Sequence, residues 1–544
     1  MNVAEKLKSK KILFATWSCS IKDYYQNRDW MPLMKKTFGK MVVFSPRDNY
    51  YKYGKERMNE MFIEIVRREK PDMIMLSLSY DEFYLETFEK IKKISPKTIM
   101  INFFGDDDWR YEDWSRYYAF YFDYNLSAKK DISPYLKDGI KNVDFFWGIN
   151  PDVLKPIKIE KKYDVTFIGS PVADRYEYIK YLKENGVNIK LFGPGWADYP
   201  EFNDIYLGFL SSEDFVKVIN ESKINLNFTK TFYEKGKKGQ FKGRIFEIAA
   251  CNAFQLVESS PMIVGYYKDN EKVNFSEKKE LLNKIRYYLE NEQKRKEIAG
   301  EAYREAIEKY TWNTQFAKLF DEIYTKNKTI IPSVGGRIAV INSKDFSDIN
   351  LIRKKVAGAD YVKFSDSLVS QDSKREFAQI YSLNKSEKVI SCCDAVIRKN
   401  GIDNFLVMNA KKAFNTLKKE KFNNLVQLGQ LIIKKKYFID NLSRFRNFAD
   451  GKKEEIINEE NTSFVSIPLV ELRDFKKTEY KDMLIAYQMR FRDRLYSIAK
   501  RREIFSAYPY KIIIDGIFGD WFVIKYLFKS IFNRDNWLRL KGKI

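Results

Sequence analysis

Lys242, Arg244 and Glu247 crowd the first turns of a short apolar pattern in KGRIFEIAACNAFQLVES, residues 242–259. Two cations at a helix start suit a phosphate guest. Arg grips two oxygens at once, and the helix end adds unpaired N–H groups and partial positive charge. A carboxylate one turn in, Glu247, would accept hydrogen bonds from ribose hydroxyls. The helix is expected over 244–251, stopping at Asn252, a residue type that tolerates the left-handed cap conformation. FIGS (167–170) sets Gly169 and Ser170 at a strand end, where a backbone can approach phosphate closely. Arg175 follows on the next helix as a further diphosphate candidate. A cationic helix start followed by Glu is also a common solvated face, so this pattern alone leaves both readings open.

Histidine is absent from the chain. That excludes a His base, a Ser-His or Cys-His nucleophile pair, and any His metal ligand. Chemistry must run on carboxylates, hydroxyls, cations and backbone dipoles. Asp107, with Asp23 and Asp108 as rivals, is the candidate base for an inverting group transfer; a retaining one needs no dedicated base. The run Asp106–Asp108 also reads as a helix N-cap. Cys19, Cys251, Cys392 and Cys393 are too few and scattered for a disulfide framework or metal cluster, so no metal or other cofactor and a reducing cytoplasm are expected.

The elements that must position these residues are strands alternating with helices. Apolar runs at 10–17, 40–46, 71–79, 97–108, 118–128 and 142–151 predict parallel strands, with helices over 53–69 and 82–94 between them. Pro151 and Pro156 mark a linker. The pattern restarts with a strand at 163–170, a helix at 174–186 and a strand at 187–196 ending in Gly-Pro-Gly. A helix at 211–222 capped by Ser212, a strand at 223–229, the 244–258 unit and a helical region at 277–325 follow. Two α/β halves of this kind bind ligands at strand C-termini, in the cleft between them.

The order DVTFIGSPVADRYEYIKYL, IKLFGPGW, KGRIFEIAACNAFQLVES and KDNEKVNFSEKKELLNKIRYYLENEQKRKEIAGEAYREAIEKYTW resembles the group 1 glycosyltransferases of the GT-B fold. The branch is that related to spore maturation protein CgeB. FFGDDDW and WGINPDVLKP fit the same pattern, and the likeness covers residues 10–325. It implies two Rossmann-like domains facing a cleft: an acceptor domain over 1–152 and a nucleotide-sugar domain over 153–328. It also implies a pair of Glu residues, of which Glu247 matches the second, the ribose contact. The first falls at Gly239 and is missing, and Glu271 matches an acidic position that would take over part of its role. Asn252 stands where the family commonly has Gly, and Tyr310 where it has His. Such enzymes need no metal, because a helix end and cations stabilise the leaving diphosphate.

Residues 337–544 make an α/β accessory domain. Its 356–401 stretch loosely resembles a degenerate family 2, GT-A type glycosyltransferase, with Ser365-Asp366-Ser367 where two acids are the rule; an unrelated α/β domain is the other reading. A basic, aromatic helical tail closes it, in RFRDRLYSIAKRR (490–502) and residues 520–544. Net charge is 97 − 74 = +23 overall, and 41 − 25 = +16 of it falls from residue 331 onward. The sequence therefore reads as a cytoplasmic glycosyltransferase moving a sugar from a nucleotide-diphosphate donor to a glycan, lipid-linked or protein acceptor. Its basic end would rest on an anionic membrane surface. Two alternatives stay open: a non-catalytic nucleotide- or sugar-binding protein with a decayed site, and a basic nucleic-acid-binding or modifying protein. The second has no helix-turn-helix, zinc-finger or RNA-binding signature to support it.

Overall fold

The computed structural model describes residues 3–20, 25–78, 82–105, 107–229, 243–259, 273–323, 331–365, 369–371, 375–399, 402–408, 431–449 and 461–473. Three sheets organise them. The first holds β1 (Lys11–Ala15), β2 (Lys40–Phe44), β3 (Met73–Leu76), β4 (Ile99–Phe104), β5 (Tyr124–Ser127) and β6 (Val143–Phe145), ordered β2-β1-β3-β4-β5-β6. The second holds β7 (Tyr163–Ile168), β8 (Ile189–Phe192), β9 (Ser222–Asn227), β10 (Gln255–Glu258) and β11 (Asn274–Phe275), ordered β11-β10-β9-β7-β8. All pairs in both are parallel.

Both sheets share one winding. The chain steps one way from its first strand to its second, then reverses and grows from the other side. Each therefore has a switch point, β1/β3 in one lobe and β7/β9 in the other, where strand tips open a crevice. The apolar runs make this possible, because central strands such as Met73–Leu76 are buried on both faces. Helix Lys55–Glu69 shows the matching helical logic: Met58, Phe62 and Val66, four apart, are its buried stripe. The first strand tips lead into a helix not foreseen from sequence, Pro46–Tyr53, which Pro46 begins rather than blocks.

The region expected as one helical run over 277–325 is three helices, Lys278–Glu290, Glu292–Lys309 and Trp312–Glu322. The last of these corrects the boundary drawn at 153–328. Trp312, Phe316, Leu319 and Phe320 pack into the core of the first lobe, with Phe14, Trp30 and Phe38. Sequence shows that such a helix has an apolar face; it does not show whose core the face joins. The chain thus crosses between lobes twice. The crossings lie side by side: Ile149 N–H donates to Tyr310 O at 2.8 Å, and Trp312 N–H donates to Ile149 O at 3.0 Å. Asn150 also donates to Asp29 at 3.0 Å.

The third sheet is mixed: β12 (Ile338–Asn342), β13 (Tyr361–Ser365), β14 (Val369–Gln371), β15 (Ile390–Lys399), β16 (Ile402–Met408), β17 (Leu431–Lys434) and β18 (Thr462–Arg473), ordered β12-β13-β17-β15-β18-β14 with β16 on β15. Helix Arg375–Asn384 docks this unit onto the first lobe. Phe120 meets Tyr381 and Phe377 at ring distances of 5.3 and 6.0 Å. Arg116 holds Asp138 at 2.8 Å, and Lys385 reaches the same carboxylate at 3.4 Å. Asp366 and the expected helical tail lie outside the described residues. Among the described residues no helix is long and apolar enough to cross a membrane.

Candidate functional site

The crevice at the switch point of the second sheet is built on two loops that brace each other. Gly193, after β8, has φ +110°, and a Cβ there would fall 2.9 Å from Gly169 O and 3.1 Å from Gly169 N. Only glycine meets both demands, a positive φ and contact with another backbone. Gly169 N–H donates to Phe192 O at 2.9 Å, and Trp196 Nε1 donates to Gly169 O at 2.7 Å. Gly169 and Ser170 are the phosphate contacts expected of this loop, and the Gly169 N–H is engaged with Phe192 O. Ser170 remains as the loop's candidate contact.

Arg175 opens helix Arg175–Glu184 and lies in the switch point itself. Its Nη1 donates to Ser170 O at 3.1 Å and its Nη2 to Phe228 O at 3.2 Å. One guanidinium therefore ties the loop after β7 to the loop after β9. Arg175 is 8% exposed, and burial pushes its pKa down to about 10, with Glu258 and Asp174 opposing. This geometry corrects its expected role: Arg175 is a buried brace of the crevice, not an open diphosphate ligand. Glu258, at the tip of β10, completes the rim by accepting from Thr229 N–H at 3.0 Å.

Arg244 and Glu247 occupy one face of helix Arg244–Ala250, as their spacing predicts. Arg244 Nε lies 3.3 Å from Glu247 Oε2, with both side chains about one-third exposed at 30% and 29%. The Arg244 guanidinium also lies 4.3 Å over the Phe215 ring. Its Nη1 is buried and makes no hydrogen bond among the described residues. A buried cationic donor without an acceptor is costly unless a ligand supplies one. Its charge is also felt at Arg175, whose guanidinium it disfavours. The opposite face of the helix is core: Ile245, Phe246, Ile248 and Ala249 are buried. Gln255 Nε2 donates to Ile245 O at 2.8 Å, pinning the helix to β10. Asn252 has φ +52°, the left-handed stop read from sequence.

The helix is seven residues long. Two turns carry little dipole, so the field at this end must come from side chains rather than from the helix. Lys242 and Glu271 lie outside the described residues, as do Asp23 and the side chain of Asp108. The cap of helix Ser212–Glu221 is Ser211, one residue before the expected Ser212, and its Oγ accepts from Asp214 N–H at 3.0 Å.

Asp107 is a correction. It begins helix Asp107–Arg110, is 1% exposed, and accepts from Ser127 Oγ at 2.6 Å and from the Tyr135 hydroxyl. Burial pushes its carboxyl above the ordinary aspartate range, while hydrogen bonds from Ser127 and Tyr135 pull it back. A carboxyl enclosed in this way ties β5 to the following helix and is not presented as an exposed base. At the tips of β1 and β2 in the first lobe lies a second polar group. Asp48 accepts from Ser18, Ser45 and Ser20 side chains at 2.8, 2.7 and 2.9 Å, folding the tips of β1 and β2 into one polar cluster. Arg47 stacks on Trp17 beside it at 3.8 Å. No spacing in the sequence marks these residues, because the contacts join segments 30 positions apart.

Residues 175–321 match the family described as glycosyl transferase-like. The spore protein CgeB of Bacillus subtilis is 24% identical over 218 residues, 36% of this chain and 66% of that relative's length. The second lobe is thus similar to glycosyl transferase-like proteins and to CgeB over the region that carries the crevice. It spans helix Arg175–Glu184, the Arg244 helix and the three helices that return the chain to the first lobe. With two like-wound lobes, a doubled crossing and that returning helix, residues 1–323 have the GT-B architecture. Among solved structures, Anabaena HepE in complex with UDP and glucose is 13% identical, covering 58% of this chain and 100% of that one with a TM-score of 0.42. The sucrose-phosphate synthase of Thermosynechococcus elongatus is 10% identical, covering 58% and 99% with a TM-score of 0.43.

Proposed function

We propose that the protein transfers a sugar, of the hexosyl class, from a nucleotide-diphosphate donor to a glycan, lipid-linked or protein acceptor, without a metal ion. Arg244 would hold the diphosphate, with Lys242 beside it and Ser170 across the crevice. Glu247, oriented by Arg244, would take the ribose hydroxyls, and Glu271 would contribute to the sugar. As the donor bond breaks, negative charge grows on the departing diphosphate. A preformed guanidinium donor at that point lowers the barrier without reorganising. The reading is supported above all by one observation: among the described residues Arg244 keeps a buried Nη1 without an acceptor, beside Glu247, in a lobe matched to glycosyl transferase-like proteins. The acceptor would approach from the first lobe, where the Asp48 cluster and Trp17 lie. Work at the cytoplasmic face of a membrane, through the basic C-terminal region, belongs to the same proposal.

A thermal-shift screen across UDP, GDP, CDP and dTDP, each free and as its sugar, tests this directly. One nucleotide should raise the melting temperature in the wild type and fail to do so in Arg244→Ala. No shift with any of them, or an undiminished shift in the variant, overturns the assignment.

A further inference from the structure

The residue that begins the Arg244 helix is held by the other lobe. Gly243 is its N-cap, with φ −53° and ψ −23°. A Cβ at Gly243 would fall 2.5 Å from Trp147 Nε1 and closer still to the adjoining ring carbons. The backbone at this point therefore lies flat against an indole, nearer than any side chain permits. That indole belongs to the acceptor lobe's aromatic cluster: Tyr25, Trp312 and Phe103 surround it at ring distances of 6.2, 6.1 and 6.2 Å. Its neighbours in the chain are fixed too. Phe146 N–H donates to Ser127 O at 2.8 Å, and Ile149 N–H to Tyr310 O at 2.8 Å. Trp147 stands on the first crossing between lobes; Tyr310, which stacks on Phe246 of the same helix at 4.2 Å, stands at the second.

We infer that Trp147 is a positioning residue for the donor site: its indole is the seat that sets where Arg244 and Glu247 point, and it carries the placement of the acceptor lobe into the grip on the nucleotide. The inference rests on the donor reading above and deepens it. Arg244 follows the seat by one residue and Glu247 by four. A displacement of about 1 Å at the seat is passed to a guanidinium whose usefulness depends on angle and distance. The donor is then held well only when the acceptor lobe is in place beneath it.

The test exploits the helical backbone of Gly243. Alanine at a helical φ and ψ carries no strain and favours the helix slightly. Any loss in Gly243→Ala must therefore come from the collision with Trp147, and Trp147→Phe in the same chain should remove it. Calorimetric titration uses whichever of UDP, GDP, CDP or dTDP the wild type binds. Gly243→Ala should weaken that affinity about tenfold and lower the melting temperature, and Gly243→Ala/Trp147→Phe should return the affinity to within about threefold of wild type. Hydrogen exchange over residues 243–250 reads the seat without a ligand, and should quicken in the single variant and recover in the double. Wild-type affinity in Gly243→Ala, or a loss that Trp147→Phe does not relieve, overturns the inference. A wild type that binds none of the four nucleotides, with the exchange pattern as expected, overturns the donor reading while the seat stands as a contact between lobes.

Discussion

The two parallel sheets are wound alike, yet their C-terminal tips are finished differently. In the first lobe side chains at the tips bind one another. Asp48 collects three serine hydroxyls, Asn102 accepts Leu78 N–H at 3.0 Å, and Asp107 closes on Ser127 and Tyr135. In the second lobe the tips are thinned by Gly169 and Gly193, braced by Arg175, and faced by an Arg244 whose Nη1 has no acceptor among the described residues. The same topology thus gives one set of tips tied together by serine, asparagine and aspartate side chains, and one faced by a cation. The second is the side to which an anion would add the most.

The sharpest way to break this comparison is Arg244→Ala. It should lower donor kcat/KM by about 2–4 kcal/mol of transition-state stabilisation while the melting temperature barely moves. Equal losses in binding and in stability would make Arg244 a packing residue and erase the contrast. Gly193→Ala comes next, at about 3 kcal/mol of unfolding free energy, since the new Cβ meets the Gly169 backbone at a positive φ. Urea denaturation measures it. Asp48→Ala should do the reverse of Arg244→Ala. It should cost about 1–2 kcal/mol of stability, read by the same denaturation, and leave nucleotide affinity unchanged.

The smallest effect is a tilt with pH. Burial raises the Asp107 carboxyl in the folded chain, so its stabilising contribution is full below the unfolded carboxyl pKa and is lost as pH rises through the folded value. Asp107→Asn cannot ionise. The stability of the variant relative to wild type should therefore be higher at about pH 7 than at about pH 4, in paired denaturation curves. A flat difference would mean that the carboxyl is solvated and that its enclosure is overstated.

Much of this was legible in the sequence, for identifiable reasons. Alternating apolar runs gave both parallel sheets, and the i, i+3 spacing put Arg244 and Glu247 on one helix face. Asn252 announced the stop of that helix. What could not be read was anything that depends on contact between distant segments. Arg175 looked like a ligand because it follows a glycine loop; only the closure of β7 against β9 turns its guanidinium toward two carbonyls. Asp107 looked like a base within an acidic run, and its enclosure depends on Ser127 and Tyr135, one from β5 and one from the next helix. Trp147 looked like part of the strand run at 142–151, since nothing in WGIN says that a glycine nearly a hundred residues later will lie on its ring.

The docking of helix Arg375–Asn384 on the first lobe has a practical edge. Tyr117 and Phe120 are fully or nearly fully covered, at 0% and 3% exposure, and their cover includes Tyr381 and Phe377. Cutting the chain near residue 330 would lay bare this aromatic patch and leave Arg116 and Asp138 without their Tyr381 and Lys385 neighbours. A shortened chain would then be a sticky one, and clumping rather than a lost step of chemistry would be the first thing such an excision reveals.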